Sequence, residues 1–447
     1  MQVNRVYLVL AAMSALAVVY GSILPLNYRP ISLEEALLKW QTTPWINLGI
    51  YHRSDWIANA LVVIPTAFLL MGAIGYGARS VVLKCIGALL SVLVLFALVF
   101  GIEFLQIWFP TRTLSQNDIL AGCCGVLAGV SLWLAIGSWL TDQYVGFFAL
   151  TTLQQRLLVV AYVACAVCVL YSLFPFDIVM TSEEFQEKWD LGRISVDLFP
   201  DRFLSMDFFK QALVSILRGL PFGLLLFLRN GKRFGHSLIV LGCISLLIEL
   251  IQIPIYSKYT RWYDVAFTFL GGCMTLEFLR RRSLWRELLG VWQIWAFAVL
   301  IWTIAILFVF LDLKSVLLGQ RPIVDRRNVT SWLEFLRPPF AAHYFTSEYS
   351  ALTNLAEKAM FFSILGGLIA MMERACSQHP KFWWTLLSFG IFLSLGVVIE
   401  VTQLHQSHQI ADSTDVLFYL LGGVAGLWLT RKINYGSKSS GGIAIER

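Results

Sequence analysis

Charge is scarce in this chain. Asp, Glu, Lys and Arg make up 14% of its 447 residues, against 58% hydrophobic residues and a mean hydropathy of +0.71. Soluble domains carry about 25% charge, so an array of them is excluded and the chain reads as an integral membrane protein. The net charge of +6 does not imply nucleic acid, because the basic residues sit mainly at helix ends. Histidine is nearly absent and forms no ligand-spaced cluster, so no metal or cofactor is expected; His405 and His408 read as an exposed polar turn. The eight cysteines avoid the long loops on one side of the membrane, so no disulfide framework follows. Cys165-x2-Cys168 has the form of a redox or zinc pair but lies mid-helix among Ala and Val, where it reads as two small buried hydrophobes. The start of the chain, which looks at first like a leader, reads differently. The apolar run Val6 to Leu24 is long for one and has no convincing small-residue cleavage site, so it reads as the first membrane helix.

What the chain has instead is apolar windows of about 20 residues. They predict spans near 5–26, 55–76, 81–108, 114–140, 155–176, 207–229, 234–254, 262–279, 289–311, 352–372, 382–404 and 412–430, the short one at 262–279 being the least secure. The fold class is therefore all-α, a polytopic helical bundle of about twelve spans. Arg5, Lys84, Arg156, Arg229, Arg233, the run Arg280-Arg281-Arg282, Arg374 and Arg431 fall on one side, with Arg79, Lys232, Arg286, Lys438 and Arg447. The positive-inside rule makes that side, and both termini, cytoplasmic.

Three stretches share one pattern, Glu-x2-Gln-x11-Asp-x6-Gly, without insertion or deletion. They are Glu103, Gln106, Asp118 and Gly125; Glu249, Gln252, Asp264 and Gly271; and Glu400, Gln403, Asp415 and Gly422. Each joins two apolar runs, where carboxylates are costly and mark functional positions. The spans then fall into three parallel four-helix units, 1–145, 146–286 and 287–431, followed by a cytoplasmic tail, 432–447. All three patterns face outward.

Other positions repeat in step. Ser22-x2-Pro25 precedes Ser32-x2-Glu35 and Lys39-Trp40; Ser172-x2-Pro175 precedes Thr181-x2-Glu184 and Lys188-Trp189. Both read as capping boxes starting a short helix on the outer surface, with the tryptophans at the interface. The corresponding stretch of unit three, Lys314 to Ser350, matches poorly. The second helices carry Asp55-x3-Asn59-x5-Pro65, Gln211-x3-Ser215-x5-Pro221 and Asn354-x3-Lys358, each polar pair on one helix face. The two prolines would kink their helices.

This ordered set resembles the VanZ-like family of bacterial membrane proteins: an Asp/Asn helix before Pro-x-Gly, a Glu-x2-Gln helix, an Arg-containing turn and an Asp-led helix with glycines. The resemblance covers nearly the whole chain as three consecutive units, strongest over 55–125. There are departures. Where the family has Asn one turn after the Asp, this chain has Gly122, Thr268 and Tyr419; the turn cation Arg112 becomes Lys258, with Arg261 nearby, and then Gln409. The family's founding member is linked to low-level resistance to a lipidated glycopeptide antibiotic, so the resemblance points to the bacterial cell envelope and its plasma membrane rather than to a reaction.

The candidate ligand-binding residues are Glu103, Gln106, Arg112, Asp118, Asp55 and Asn59. Their repeat equivalents are Glu249, Gln252, Lys258, Arg261, Asp264, Glu400, Gln403, Asp415 and Lys358. Lys358 is expected to replace the lost turn cation and pair with Glu400 or Asp415, or else to snorkel near a helix end. Glu103, Arg112 and Asp118 either neutralise one another as a structural clasp or form a pocket for the head group of an outer-leaflet lipid, lipid-linked glycan or amphipathic glycopeptide. Three function classes follow: a non-catalytic envelope factor, which is preferred; an enzyme on a lipid-linked substrate, with Glu103 and Asp118 as acid and base, for which no nucleophile–base pair speaks; and a lipid or solute transporter, against which the charges cluster at one face, Arg218 alone excepted.

Overall fold

The computed structural model describes residues 2–46, 49–78, 80–150, 152–195, 206–230, 233–281, 290–311, 338–340, 348–376, 381–403 and 412–435. Arg79, Lys232, Arg282, Arg286, most of 314–350, His405, His408, Gln409, Lys438 and Arg447 lie outside the described residues. The chain is all-α; the sheet among the described residues is a two-residue parallel pair, β1 (Ile194–Ser195) on β2 (Thr260–Arg261). Eleven described helices are long and apolar enough to cross a membrane. The stretch expected as a span near 262–279 is a helix, Trp262–Arg280, but it is not one of the eleven: Asp264, Glu277 and its glycines dilute its apolar character.

Contacts divide the chain into two compact units, one built mainly of Met1–Ala149 and the other of most of the remainder. The first holds α1 (Gln2–Ile23), α2 (Leu33–Gln41), α3 (Ile50–Gly75), α4 (Val81–Gln106), α5 (Gln116–Leu132) and α6 (Ser138–Ala149). A π-helical turn, Trp133–Gly137, joins α5 to α6, so the span expected over 114–140 is Gln116–Phe147 and the helix continues to Ala149. Val63, Ala67 and Met71 of α3, Leu95 and Val99 of α4, and Val126, Val130 and Trp133 form its core. Ser32 caps α2 by accepting from the Glu35 N–H. Glu35 does not complete a box there; it turns forward one helical turn to Lys39, 2.9 Å away. Trp40 packs edge-on against Phe100 and Phe104 of α4.

The second unit holds α7 (Leu153–Leu173), α8 (Ser182–Asp190), α9 (Met206–Asn230), α10 (Phe234–Gln252), α11 (Trp262–Arg280), α12 (Trp292–Phe310), α13 (Glu348–Cys376), α14 (Lys381–Gln403) and α15 (Ser413–Tyr435). One core gathers Phe222, Leu241, Ile248 and Leu276 with Cys165; another gathers Phe361, Phe362, Leu365, Phe392, Ile399 and Tyr419. At α8 the capping box is complete, Thr181 and Glu184 bonding reciprocally.

Lys188 of α8 has no exposed surface, and its Nζ donates to the carbonyls of Gln252, Ile253 and Ile255 at 3.0, 2.8 and 2.6 Å. A cation at a helix C-terminus satisfies carbonyls that have no intrahelical donor. Replacing it leaves several of them bare. Lys188→Met should therefore destabilise the protein by about 3 kcal/mol, read as an earlier transition in detergent-titrated unfolding, with Lys188→Arg milder.

Candidate functional site

The Glu-x2-Gln helix and the Asp-led helix recur three times among the described residues, each time against the helix that precedes them, and the turn between them is described in the first two copies. In every copy a glycine seven residues after the Asp lets two backbones touch. A Cβ on Gly125, Gly271 or Gly422 would stand 2.2, 2.0 or 2.2 Å from the carbonyl oxygen of Ala60, Ile216 or Ala359. Those three carbonyls belong to the residues just after Asn59, Ser215 and Lys358. Close approach then brings the side chains of these residues to the Asp. Asn59 Nδ2 donates to Asp118 Oδ1 at 2.7 Å, Ser215 Oγ to Asp264 Oδ1 at 2.7 Å, and Lys358 Nζ pairs with Asp415 Oδ2. Gln211 adds a bond to Asp264 Oδ2 at 3.2 Å. Asp55 lies one turn before Asn59, half-buried.

The glutamates differ more. In the second copy Glu249 is buried; its Oε1 binds Arg218 Nη2 at 2.7 Å and its Oε2 accepts from the Arg261 backbone N–H at 3.4 Å. Arg218 also donates to Thr268 Oγ1 at 2.9 Å. In the third, Glu400 Oε1 accepts from the Tyr419 hydroxyl at 3.1 Å and Oε2 from the Asp412 N–H at 3.0 Å. Arg261 and Asp412 are equivalent positions, three residues before their Asp. In the first copy Glu103 is 7% exposed, and its Oε2 is buried with no hydrogen-bond partner among the described residues. Asp118 and Arg112 lie within electrostatic range of it. Ser115, at the position of Arg261, turns its hydroxyl to Asp118 Oδ2 at 2.6 Å.

The glutamines follow the same division. Gln252 donates to the Ser172 carbonyl at 3.2 Å and Gln403 to the Phe310 carbonyl at 3.0 Å, each tying its helix to the end of the unit's first helix. Gln106 is half-buried and makes no such bond among the described residues. The turn cations tie the first helix too. Arg112 donates to the Gly21 carbonyl, and Lys258 Nζ donates to the Tyr171 carbonyl at 3.0 Å while lying over the Tyr171 ring. Arg112 thus bonds to main chain at Gly21 while lying in electrostatic range of Glu103, and Asp118 bonds to Asn59 and Ser115. Arg261 stacks over Tyr259.

Sequence reasoning noted Arg218 without assigning it to the site, although its position three residues after Ser215 puts it on the same helix face. Asn117 was missed altogether: its amide pairs with both backbone groups of Ile46 and fastens the loop after α2 to the start of α5. Among the described residues no group of His, Cys, Asp and Glu is placed to hold a metal.

These helices and their buried carboxylates define a multi-pass, all-α membrane protein. Residues 7–137, from α1 to the π-helical turn, match the VanZ/LLP1 family model, so that segment is VanZ-like. No curated protein and no solved structure matches it.

Proposed function

We propose that this VanZ-like protein is a non-catalytic factor of the bacterial plasma membrane that holds the polar head of a lipid-linked or amphipathic envelope molecule. The site is the first copy, Glu103, Gln106, Arg112 and Asp118 with Asp55 and Asn59. With both termini cytoplasmic, as the Lys and Arg distribution has it, this site faces outward. One observation carries the reading: Glu103 is buried with an unpartnered oxygen, while Glu249 and Glu400 are each held by two donors. A buried acceptor left bare costs about 1–3 kcal/mol, and a bound ligand removes that cost. The equivalent contacts of the other copies support three tandem VanZ-like units, of which the second and third have turned the same groups to internal use. A second reading, an enzyme using Glu103 and Asp118 as acid and base, draws on the electrostatic proximity of the two carboxylates.

The test is to purify the protein gently from bacterial membranes and release bound lipids in a mass spectrometer, beside Glu103→Gln and Arg112→Gln. A glycan-bearing or polyprenyl lipid retained by the wild type and lost from folded variants is the expected result; turnover assays on that lipid then separate binding from catalysis. Bulk phospholipid alone in all three proteins would make the motif a structural clasp.

A further inference from the structure

We infer that the open groove between α9 and α11 binds an anionic phospholipid, with an acyl chain along the groove and the phosphate on Arg280 and Arg281. The site lies within the second unit and goes beyond the first-copy reading. Gly219 and Gly223 bring α9 so close to α11 that a Cβ on either would stand 2.0 or 2.4 Å from the carbonyl oxygen of Thr268 or Gly272. Leu220 and Leu224 follow those glycines in α9, and with Leu270, Met274, Phe278 and Arg281 of α11 they line a groove of about 850 Å³. The α11 residues recur every three or four positions and so form one stripe. Its apolar members, Leu270, Met274 and Phe278, are 45, 54 and 44% exposed. From Leu270 to Arg281 the helix rises about 16 Å, close to half of a hydrocarbon core roughly 30 Å thick. The groove therefore has the depth of a single leaflet, and its charged end is the one that the Lys and Arg distribution makes cytoplasmic.

That end carries more positive than negative charge. Glu277, also in the groove wall, binds both arginines: Arg280 Nε lies 2.9 Å from its Oε2, and Arg281 Nε meets its Oε1. Two guanidinium charges thus answer one carboxylate, which holds them together while their side chains stay 51 and 55% exposed. Arg280 also lies 4.6 Å from the centre of the Phe234 ring at the start of α10. A guanidinium presents five N–H donors in a planar fork that suits phosphate, and basic clusters at the cytoplasmic ends of membrane helices attract anionic head groups. Neither of the other copies repeats the set. At the positions of Glu277, Arg280 and Arg281 the first has Ser131, Leu134 and Ala135. The third has Trp428, Arg431 and Lys432, and there Arg431 bonds to Glu373 and Thr385. A zwitterionic head group gains less from such a site, because its own cation comes to lie beside the arginines.

The experiment uses the full chain in non-ionic detergent, with retained lipid counted by native mass spectrometry. Phosphatidylglycerol and phosphatidylcholine of identical acyl chains are offered in competition. The expected result is at least tenfold greater retention of phosphatidylglycerol. Replacing both arginines, Arg280→Gln with Arg281→Gln, brings the two lipids to parity; both side chains are exposed, so the variant keeps its fold. Arg229→Gln, exposed at the same end of α9 but outside the groove, leaves the preference intact. Met274→Trp, which fills the groove from an exposed position, lowers retention of phosphatidylglycerol severalfold. Glu103→Gln leaves the preference unchanged, so this assignment and the first-copy reading are tested apart. Equal retention of the two lipids by the wild type, or a preference lost as fully in Arg229→Gln as in the double variant, overturns the assignment and leaves the arginines as topological charges. Displacement of the lipid by an excess of glycerol 3-phosphate, or full retention in Met274→Trp, overturns the part given to the groove.

Discussion

Lys358→Met should be among the most damaging single substitutions in this protein, costing about 3–5 kcal/mol, the usual loss when one partner of a buried ion pair is removed. Lys358 and Asp415 meet with little of either side chain exposed, and the Lys358 ammonium also lies 5.9 Å from the centre of the Tyr419 ring. Tyr419 in turn donates to Glu400, so the substitution uncovers a carboxylate beside a network holding a second one. A buried charge without a partner is far costlier than the pair is favourable. The double variant Lys358→Met with Asp415→Asn should therefore recover more than half of the loss. Thermal unfolding of the purified single and double variants checks this. If Lys358→Met unfolds at the wild-type temperature, the pair is an incidental contact of a snorkelling lysine.

The second large effect is expected at the crossing of α3 and α5. Gly125→Ala puts a methyl 2.2 Å from the Ala60 carbonyl oxygen, which is main chain and cannot rotate away. The two helices must separate, and overpacking of this kind costs about 1–3 kcal/mol and sometimes more. Separation also pulls Asn59 from Asp118, so ligand retention should fall together with stability. Gly101→Ala, in α4 with nothing within 4 Å of its Cβ position, is the control. It should be neutral or slightly stabilising, since alanine favours helix over glycine by about 1 kcal/mol. Equal melting temperatures for the two variants would show that the crossing is looser than its geometry.

Much of this was legible in the sequence, because apolar length and the spacing of carboxylates are direct consequences of crossing a membrane. The all-α class, the helices of the hairpins and the face shared by Asn59, Ser215 and Lys358 all follow from period and register. The tie between Lys358 and one of two acids was visible in outline, and the choice of Asp415 needed coordinates. Two things were hidden. The eighth expected span, 262–279, fell short because Asp264 and Glu277 occupy a helix barely long enough to cross, and hydropathy weighs them without knowing what they touch. The donors to Glu249 and Glu400 were hidden for another reason. Arg218 and Tyr419 lie on different helices, and two main-chain N–H groups complete the sets. No spacing rule in one dimension joins them.

Lys188, Arg112 and Lys258 each donate to main-chain oxygens. Every residue type offers that oxygen, so mutation at Gly21 or Ile255 does not withdraw the acceptor, and mutation at Tyr171 removes the ring beneath Lys258 but not the carbonyl. Paired substitution across related sequences, which reveals side-chain contacts, will not report these hydrogen bonds to main chain. Such joints let loop sequences drift from one copy to the next while the hairpins they anchor keep their geometry.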